Sequence, residues 1–425
     1  MASGAPLSGN EQEFQRERSV QPEQGRLRQQ DRPPERGVQM AIVDYRTSDF
    51  SRPEVIARYA QADIVVVESS YLWSLRQNAG AVAALKSLNP DLRVLGYINA
   101  HESWLNWGEQ SPDHPHNPYG YDWFHRTRPY WAWTTTGDTM MTWPGKVMLN
   151  VLYPECRAEM IDILVKYQDQ TLNRLDGVFW DHFNDPLWIS PRVTNVIGTV
   201  DLDQDGVGYP ADASEQAAYR RSQAELVNEL RAALGDRFIQ IFNGGRALRD
   251  SAFAALGDGM MYENFPFVGF WGGAEVSQSL DETNPHNLFA ARRWPRHANG
   301  GPWLILSNKH SLTIDPSQDD AIGSSHLSPT EYPMANFSRV VALLTDCTVS
   351  YHTDGLTTFG WPEVELALGR SLGPARRDGS VYTRIFEHGR VTLTLVPPRG
   401  WLQMSFEIVQ NGRVIQAFAY PDHQP

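Results

Sequence analysis

Eight times along this chain a short apolar or β-branched run ends in a polar or aromatic cluster, and helical text of 3.6-residue period separates several of them. The runs are MAIVDY (40–45), DIVVVESS (63–70), RVLGYINAH (93–101), GVFWDHF (177–183), FIQIFNGG (238–245), GMMYENFP (259–266), WLILSNKH (303–310) and TVSYHTD (348–354). Strands that are apolar throughout, alternating with helices, are the signature of a parallel sheet covered on both faces. Eight such units predict a (β/α)8 TIM barrel, which takes about 250 residues and fits easily in a chain of 425. The intervening helices carry sensible boundaries. Leu226, Val227, Leu230 and Leu234 share a face that stops at Gly235, and Pro154 opens a stretch through Met160, Ile161, Leu164 and Val165.

The text on either side differs. Residues 1–38 are rich in Gln, Glu, Arg and Pro and poor in large apolar side chains, which predicts a disordered leader. Residues 39–364 hold the barrel. Its third βα connection, at about 101–153, is too long for an ordinary loop, and six of the fourteen tryptophans fall in it: Trp104, Trp107, Trp123, Trp131, Trp133 and Trp143. About half are expected to hold the insertion together as a hydrophobic cluster, leaving the rest for a sugar groove. From 365 to 421 the period becomes two, with His388-Gly389 and Asn411-Gly412 as turn signals, so a small antiparallel β domain is expected.

Composition narrows the partners. A net charge of −13 disfavours nucleic acid and anionic lipid, and no run of about 18 apolar residues offers a membrane span. The N-terminus has no apolar signal core, so the protein is either cytoplasmic or, if a signal peptide has been removed, secreted or cell-surface. Aromatic residues make up 11% of the chain, enough to supply planar faces for a carbohydrate partner. Cys156 and Cys347 fall at opposite ends of the expected barrel and are expected as free thiols. Oligomeric state is left open.

In a TIM barrel the strand C-termini and the loops after them form one face, where active sites gather. The polar residues brought there are Asp44, Glu68, Asn99, His101, Asp181, Asn243, Glu263, Lys309, His352 and Asp354. Glycosidic cleavage needs two carboxylates, one to attack or stabilise the anomeric carbon and one to protonate the leaving oxygen. Asp181 and Glu263, on strands four and six, can face one another across the mouth, and unequal surroundings would leave one acid and one base near neutral pH. Asp44, Glu68 and Asp354 are assigned to substrate hydroxyls. Asn243 bonds a sugar hydroxyl, orients Glu263 or is a structural amide. Asn99, His101, Trp180, His182, Tyr262, Asn264, Lys309 and His352 are expected wall residues, and Trp271, beside glycines, a stacking platform. Each of these groups, taken singly, is as readily a strand-end hydrogen-bonding partner.

DLDQDGVGYPAD (201–212) matches the first half of a calcium loop. Asp201, Asp203 and Asp205 alternate before Gly206, Val207 offers its carbonyl, and Asp212 stands where a bidentate Glu is usual. A structural calcium there competes with a solvated acidic turn, and no cofactor is expected for catalysis. There is no strand-one HxH, Walker loop or GxSxG elbow.

The segments DGVFWDHF, VDLDQDG, IFNGG, MMYENFP and LGRSLGPARRDGSVYTRIFEHGRV resemble hypothetical glycoside hydrolases near the α-galactosidase superfamily, with endo-α-1,4-polygalactosaminidases more distant. The resemblance spans about residues 39–396. It implies a retaining enzyme acting on an α-linked oligo- or polysaccharide, with Asp181 as nucleophile and Glu263 as acid/base. The alternatives are a non-hydrolytic carbohydrate-binding barrel and a partner-binding role for the appendage and tail.

Overall fold

Strands buried on both faces must alternate between an inner and an outer packing partner, and the computed structural model of the chain shows this alternation. It describes residues 39–44, 49–109, 111, 118–184, 186–190, 193, 199–244, 255–263, 265, 280, 288–289, 303–310, 331–353, 368–395 and 404–419. The expected leader, and the candidate residues Asn264, Trp271 and Asp354, lie outside them, as do the side chains of Lys309 and His352.

The eight runs form β1 (Ala41–Asp44), β2 (Ile64–Glu68), β3 (Arg93–Asn99), β4 (Gly177–Asp181), β5 (Ile239–Phe242), β6 (Gly259–Tyr262), β7 (Trp303–His310) and β8 (Thr348–Thr353), all parallel and neighbours in chain order. A parallel bridge between Met40 and Val349 and the Val349 amide donating to the Gln39 carbonyl (3.0 Å) close the ring. The fold is the predicted TIM barrel. One apolar cluster fills its interior, including Val43, Val66, Leu95, Phe179, Ile241, Met261 and Ile305. Their strand neighbours, among them Ile42, Val65, Val178, Phe242 and Met260, belong to the larger outer cluster against the helices. Each such buried Val, Leu, Ile or Phe contributes about 1.5–3 kcal/mol of transfer free energy.

After α1 (Pro53–Tyr59), α2 (Ser69–Ser74), α3 (Ala81–Leu88) and α4 (Pro118–Thr127), the helices start and stop where local chemistry dictates. α5 (Pro154–Gln170) opens on its proline, and α6 (Ala213–Leu234) is capped by Asp212, whose Oδ1 accepts the Ser214 and Glu215 amides at 2.7 and 3.1 Å. Gly235, at φ 88°, ends α6. Cys156 and Cys347 are buried thiols not joined in a disulfide, and Cys347 Sγ accepts from the Thr345 hydroxyl at 3.0 Å.

The insertion after β3 is ordered around a small antiparallel patch of Glu102–Trp104, Met141–Trp143 and Lys146–Met148. A second antiparallel pair joins Trp133–Thr134 to Val200–Asp201. Trp123 is fully buried, and Trp107 and Trp131 pack against the main core.

Beyond the barrel, β9 (Arg376–Asp378), β10 (Val381–Phe386), β11 (Gly389–Leu395), β12 (Met404–Gln410) and β13 (Arg413–Ala419) make a five-stranded antiparallel sheet. Asn411 and Gly412 both have positive φ (50° and 75°) between paired Gln410 and Arg413, the type I′ geometry that Asn-Gly favours. At the other hairpin Gly389 already pairs with Phe386, so the turn residues are Glu387 and His388, one position earlier than the text suggests. The sheet packs on α7 (Glu331–Thr345), with Arg384 Nη1 donating to the Leu343 carbonyl at 2.7 Å and Gln416 Nε2 to Asn336 Oδ1 at 2.9 Å. No helix among the described residues is long and apolar enough to cross a membrane.

Candidate active site

The two-residue period of the strands decides which polar ends enter the mouth. On β4, Phe179 faces the barrel axis and Trp180 the helices, so Asp181 faces the axis. The same parity on β3 turns Tyr97 and Asn99 inward, with Asn99 in register beside Asp181. Continuing β5 past Phe242 brings Asn243 inward, and continuing β6 past Tyr262 brings Glu263 inward.

These side chains converge. Tyr97 donates its hydroxyl to Asp181 Oδ2 and lies 3.3 Å from Asn99 Oδ1. Asn243 Nδ2 donates to Asp181 Oδ1 at 2.7 Å and to Glu263 Oε2 at 3.3 Å. Both legs start from one nitrogen, so end to end they hold those carboxylate oxygens no more than 6.0 Å apart. Gly244 fixes this arrangement, since a Cβ there would meet the Phe183 carbonyl oxygen at 1.8 Å. The Asn243 amide in turn donates to the Trp180 carbonyl, and its own carbonyl accepts from the Phe183 amide.

A charged cluster stands behind Asp181. His182, in the left-handed region at φ 54°, has Nε2 3.6 Å from Asp181 Oδ2 and bonds through Nδ1 to Glu102 Oε1. The other oxygen of Glu102 pairs with Lys146 Nζ at 2.9 Å, and that ammonium lies 4.6 Å from the centre of the Trp104 ring. Burial opposes the charge on His182, but Asp181 and Glu102 outweigh it and raise its pKa to about 9. Burial also works against ionised Glu102, yet His182 and Lys146 pull its carboxyl well below the usual range. His101, buried with Nδ1 3.3 Å from the Tyr219 hydroxyl and Nε2 without a hydrogen-bond partner, is pushed down to about 4 by burial. Glu68 also faces inward; burial raises it to about 7 against the opposing pull of Lys146. Trp143 and Trp188 flank the His182 ring at 6.4 and 5.2 Å between centroids.

Of the residues expected at the mouth, Glu68, Asn99, Asp181, His182, Asn243 and Glu263 come together, with His101 in the layer behind. Asp44, Trp180 and Tyr262 do not, and strand parity is the reason. Asp44 turns outward to accept from the Tyr59 hydroxyl, Trp180 donates Nε1 to Gln240 Oε1 at 3.0 Å, and Tyr262 packs in the outer cluster. Tyr97, Glu102, Lys146 and Trp188 join the site without having been singled out from sequence. Tyr97 was detectable, being two residues before Asn99 on one strand; Lys146 and Trp188 reach the site only through the folding of the insertion and of the loop after β4.

Of the expected calcium ligands, Asp203, Asp205 and Asp212 bring ligand oxygens within 4.8 Å of one another, and Asp201 meets Asp203 in a second group together with Glu215. Val207 is exposed, and Asp212 Oδ1 also caps α6.

The model of the family described as hypothetical glycosyl hydrolase family 15 matches residues 86–390, more than two thirds of the chain. No curated protein matches it. Among solved structures, the glycoside hydrolase domain of a PelA variant from Pseudomonas aeruginosa is similar at 12% identity and a TM-score of 0.44, over 75% of this chain and 96% of that one. Ega3 of Aspergillus fumigatus, in complex with galactosamine, matches at 14% identity and a TM-score of 0.36, over 77% and 96%. A GH31 dextranase of Flavobacterium johnsoniae, in complex with glucose, matches at 13% and 0.47, over 92% of this chain and 51% of that one.

Proposed function

The chain belongs to hypothetical glycosyl hydrolase family 15 and is a glycoside hydrolase, and from that we propose a retaining enzyme in which Asp181 is the nucleophile and Glu263 the acid/base. One observation carries this reading: Asn243 Nδ2 bonds both carboxylates, which limits the separation of the bonded oxygens to 6.0 Å. Carboxyl groups that share one donor can approach the about 5–5.5 Å of double displacement, closer than the about 6.5–9.5 Å that seats a water between the general-base carboxylate and the sugar in inversion.

In the first step Asp181 attacks the anomeric carbon, the glycosidic C–O bond breaks, and Glu263 protonates the departing oxygen. Tyr97 and Asn243 each donate to a different oxygen of Asp181, which fixes the plane of the carboxylate toward the sugar. In the second step Glu263 takes a proton from water, the water oxygen bonds to the anomeric carbon, and Asp181 leaves. Glu68, Asn99 and His182 bind sugar hydroxyls around this pair, with Trp143 and Trp188 as ring platforms. The resemblance of the strand-four and strand-six segments to the α-galactosidase superfamily supports an α-linked oligo- or polysaccharide as the substrate. Both catalytic groups are this chain's own side chains, and a structural calcium at the Asp201–Asp212 turn stands apart from them.

The test uses a panel of aryl α-glycosides followed by NMR of the first-formed anomer. Asp181→Asn should abolish turnover while leaving the folded state intact, and the wild type should release product of the substrate's own configuration. Retained turnover in the variant, or an inverted product, refutes the assignment.

A further inference from the structure

The acidic turn after β4 holds a feature that the glycosidase reading does not use. Glu215, in the first turn of α6, is fully buried at 0% exposure. Its Oε1 accepts the Leu202 amide and the Asp203 amide also bears on the carboxylate, while Oε2 is buried with no hydrogen bond of its own. A buried carboxylate oxygen without a partner is costly, and a cation is one way of satisfying it. That side chain reaches into the turn: ligand oxygens of Asp201, Asp203 and Glu215 lie within 4.8 Å of one another. Oxygens sharing a calcium at 2.3–2.6 Å sit no more than about 5 Å apart, so the three fit one ion.

We propose that this turn binds calcium through Asp201, Asp203 and Glu215, with Glu215 supplying the ligand that the spacing of the motif assigns to Asp212. The loop pattern places its acidic closing ligand at position twelve. Here a helix begins at that position: Asp212 Oδ1 accepts from the Ser214 and Glu215 amides and from the Ser214 hydroxyl at 2.8 Å, and Asp212 lies with Asp203 and Asp205 on the more exposed side of the turn, their ligand oxygens within 4.8 Å. One turn of helix places Glu215 over the same turn from the protein side. Asp201 is held ready by the Asp205 and Gly206 amides, at 3.1 and 3.0 Å. The ion ties three segments together. Asp201 pairs with Trp133 of the insertion, Leu202 gives its carbonyl to Asn150 Nδ2 at 2.6 Å, and Glu215 lies one turn before Tyr219, which contacts His101.

Calcium chloride titrated by calorimetry into the chelator-treated full chain tests this, independently of any glycosidase assay. The wild type should bind one calcium per chain. Glu215→Gln should weaken binding by about tenfold or more, whereas Asp212→Ser, which keeps a helix cap, should stay within about threefold. If Glu215→Gln does not fold, Asp203→Asn at an exposed position gives the same readout, again with a loss of about tenfold. Absence of wild-type binding up to about 10 mM calcium, or loss of binding in Asp212→Ser alone, overturns the proposal.

Discussion

Asn243→Ala isolates the contact on which the catalytic reading rests. The substitution removes a nitrogen that donates to Asp181 at 2.7 Å and to Glu263 at 3.3 Å. The first distance lies in the range of charge-assisted bonds, and a hydrogen bond to a charged group contributes about 1.5–3 kcal/mol. The second is long, so most of the effect should fall on the nucleophile. If that energy is expressed in the transition state of glycosylation, kcat/KM falls by roughly 10- to 150-fold. A dinitrophenyl α-glycoside is the discriminating substrate, because its leaving group departs without protonation and the rate then reports Asp181 rather than Glu263. The loss should persist on that substrate, with the melting temperature of the folded variant measured in parallel. A fall of less than about threefold would mean that Asn243 merely fills the strand end, and the nucleophile assignment would lose its geometric support.

Glu263→Ala should leave dinitrophenyl glycosides attacked normally in the first step while crippling substrates with poor leaving groups, and added azide should yield a glycosyl azide of the substrate's configuration, detected by NMR. His182 provides a pH test. Its folded pKa of about 9 exceeds the ordinary 6.5, so its stabilisation is complete below pH 6.5 and disappears as pH rises through about 9. Differential scanning fluorimetry should show a melting temperature that declines across that window, and His182→Gln should flatten the decline. Gly244→Ala forces a Cβ toward the Phe183 carbonyl oxygen, 1.8 Å away without relaxation, so it should destabilise by about 1–3 kcal/mol in denaturant titration and misplace Asn243.

The barrel was legible because a run of β-branched residues with a polar end is dictated by burial on both faces, and eight such runs leave few architectures. The same property concealed the orientation of the ends. Where both faces are apolar, alternation vanishes from the text, so Asp44, Trp180 and Tyr262 read like Glu68, Asp181 and Glu263 although the pleat sends them to the helix side. Counting back by two from Asp181 reaches Phe179 and Gly177, neither of which betrays a face. Glu102 and Lys146 meet only because the insertion folds back as an antiparallel patch with Glu102 opposite Met148 and Trp104 opposite Lys146, a pairing set by tertiary packing. Asp212 shows the opposite limit: its spacing suits a metal loop and its chemistry suits a helix cap, and it serves both geometries, capping α6 through Oδ1 while its ligand oxygen lies within 4.8 Å of those of Asp203 and Asp205.

The bridge that closes the barrel also has a kinetic meaning. Gln39 and Thr348, whose side chains meet at the β1–β8 seam, are 309 positions apart in the chain. Bringing such distant segments together adds little to the equilibrium cost, since loop-closure entropy grows only logarithmically with length, but it slows the search. Seven of the eight junctions join consecutive strands; this one waits for both ends. In refolding followed by hydrogen exchange, the amide of Val349 should therefore gain protection after those of β2 to β5, so that the first and last strands form the latch of the ring.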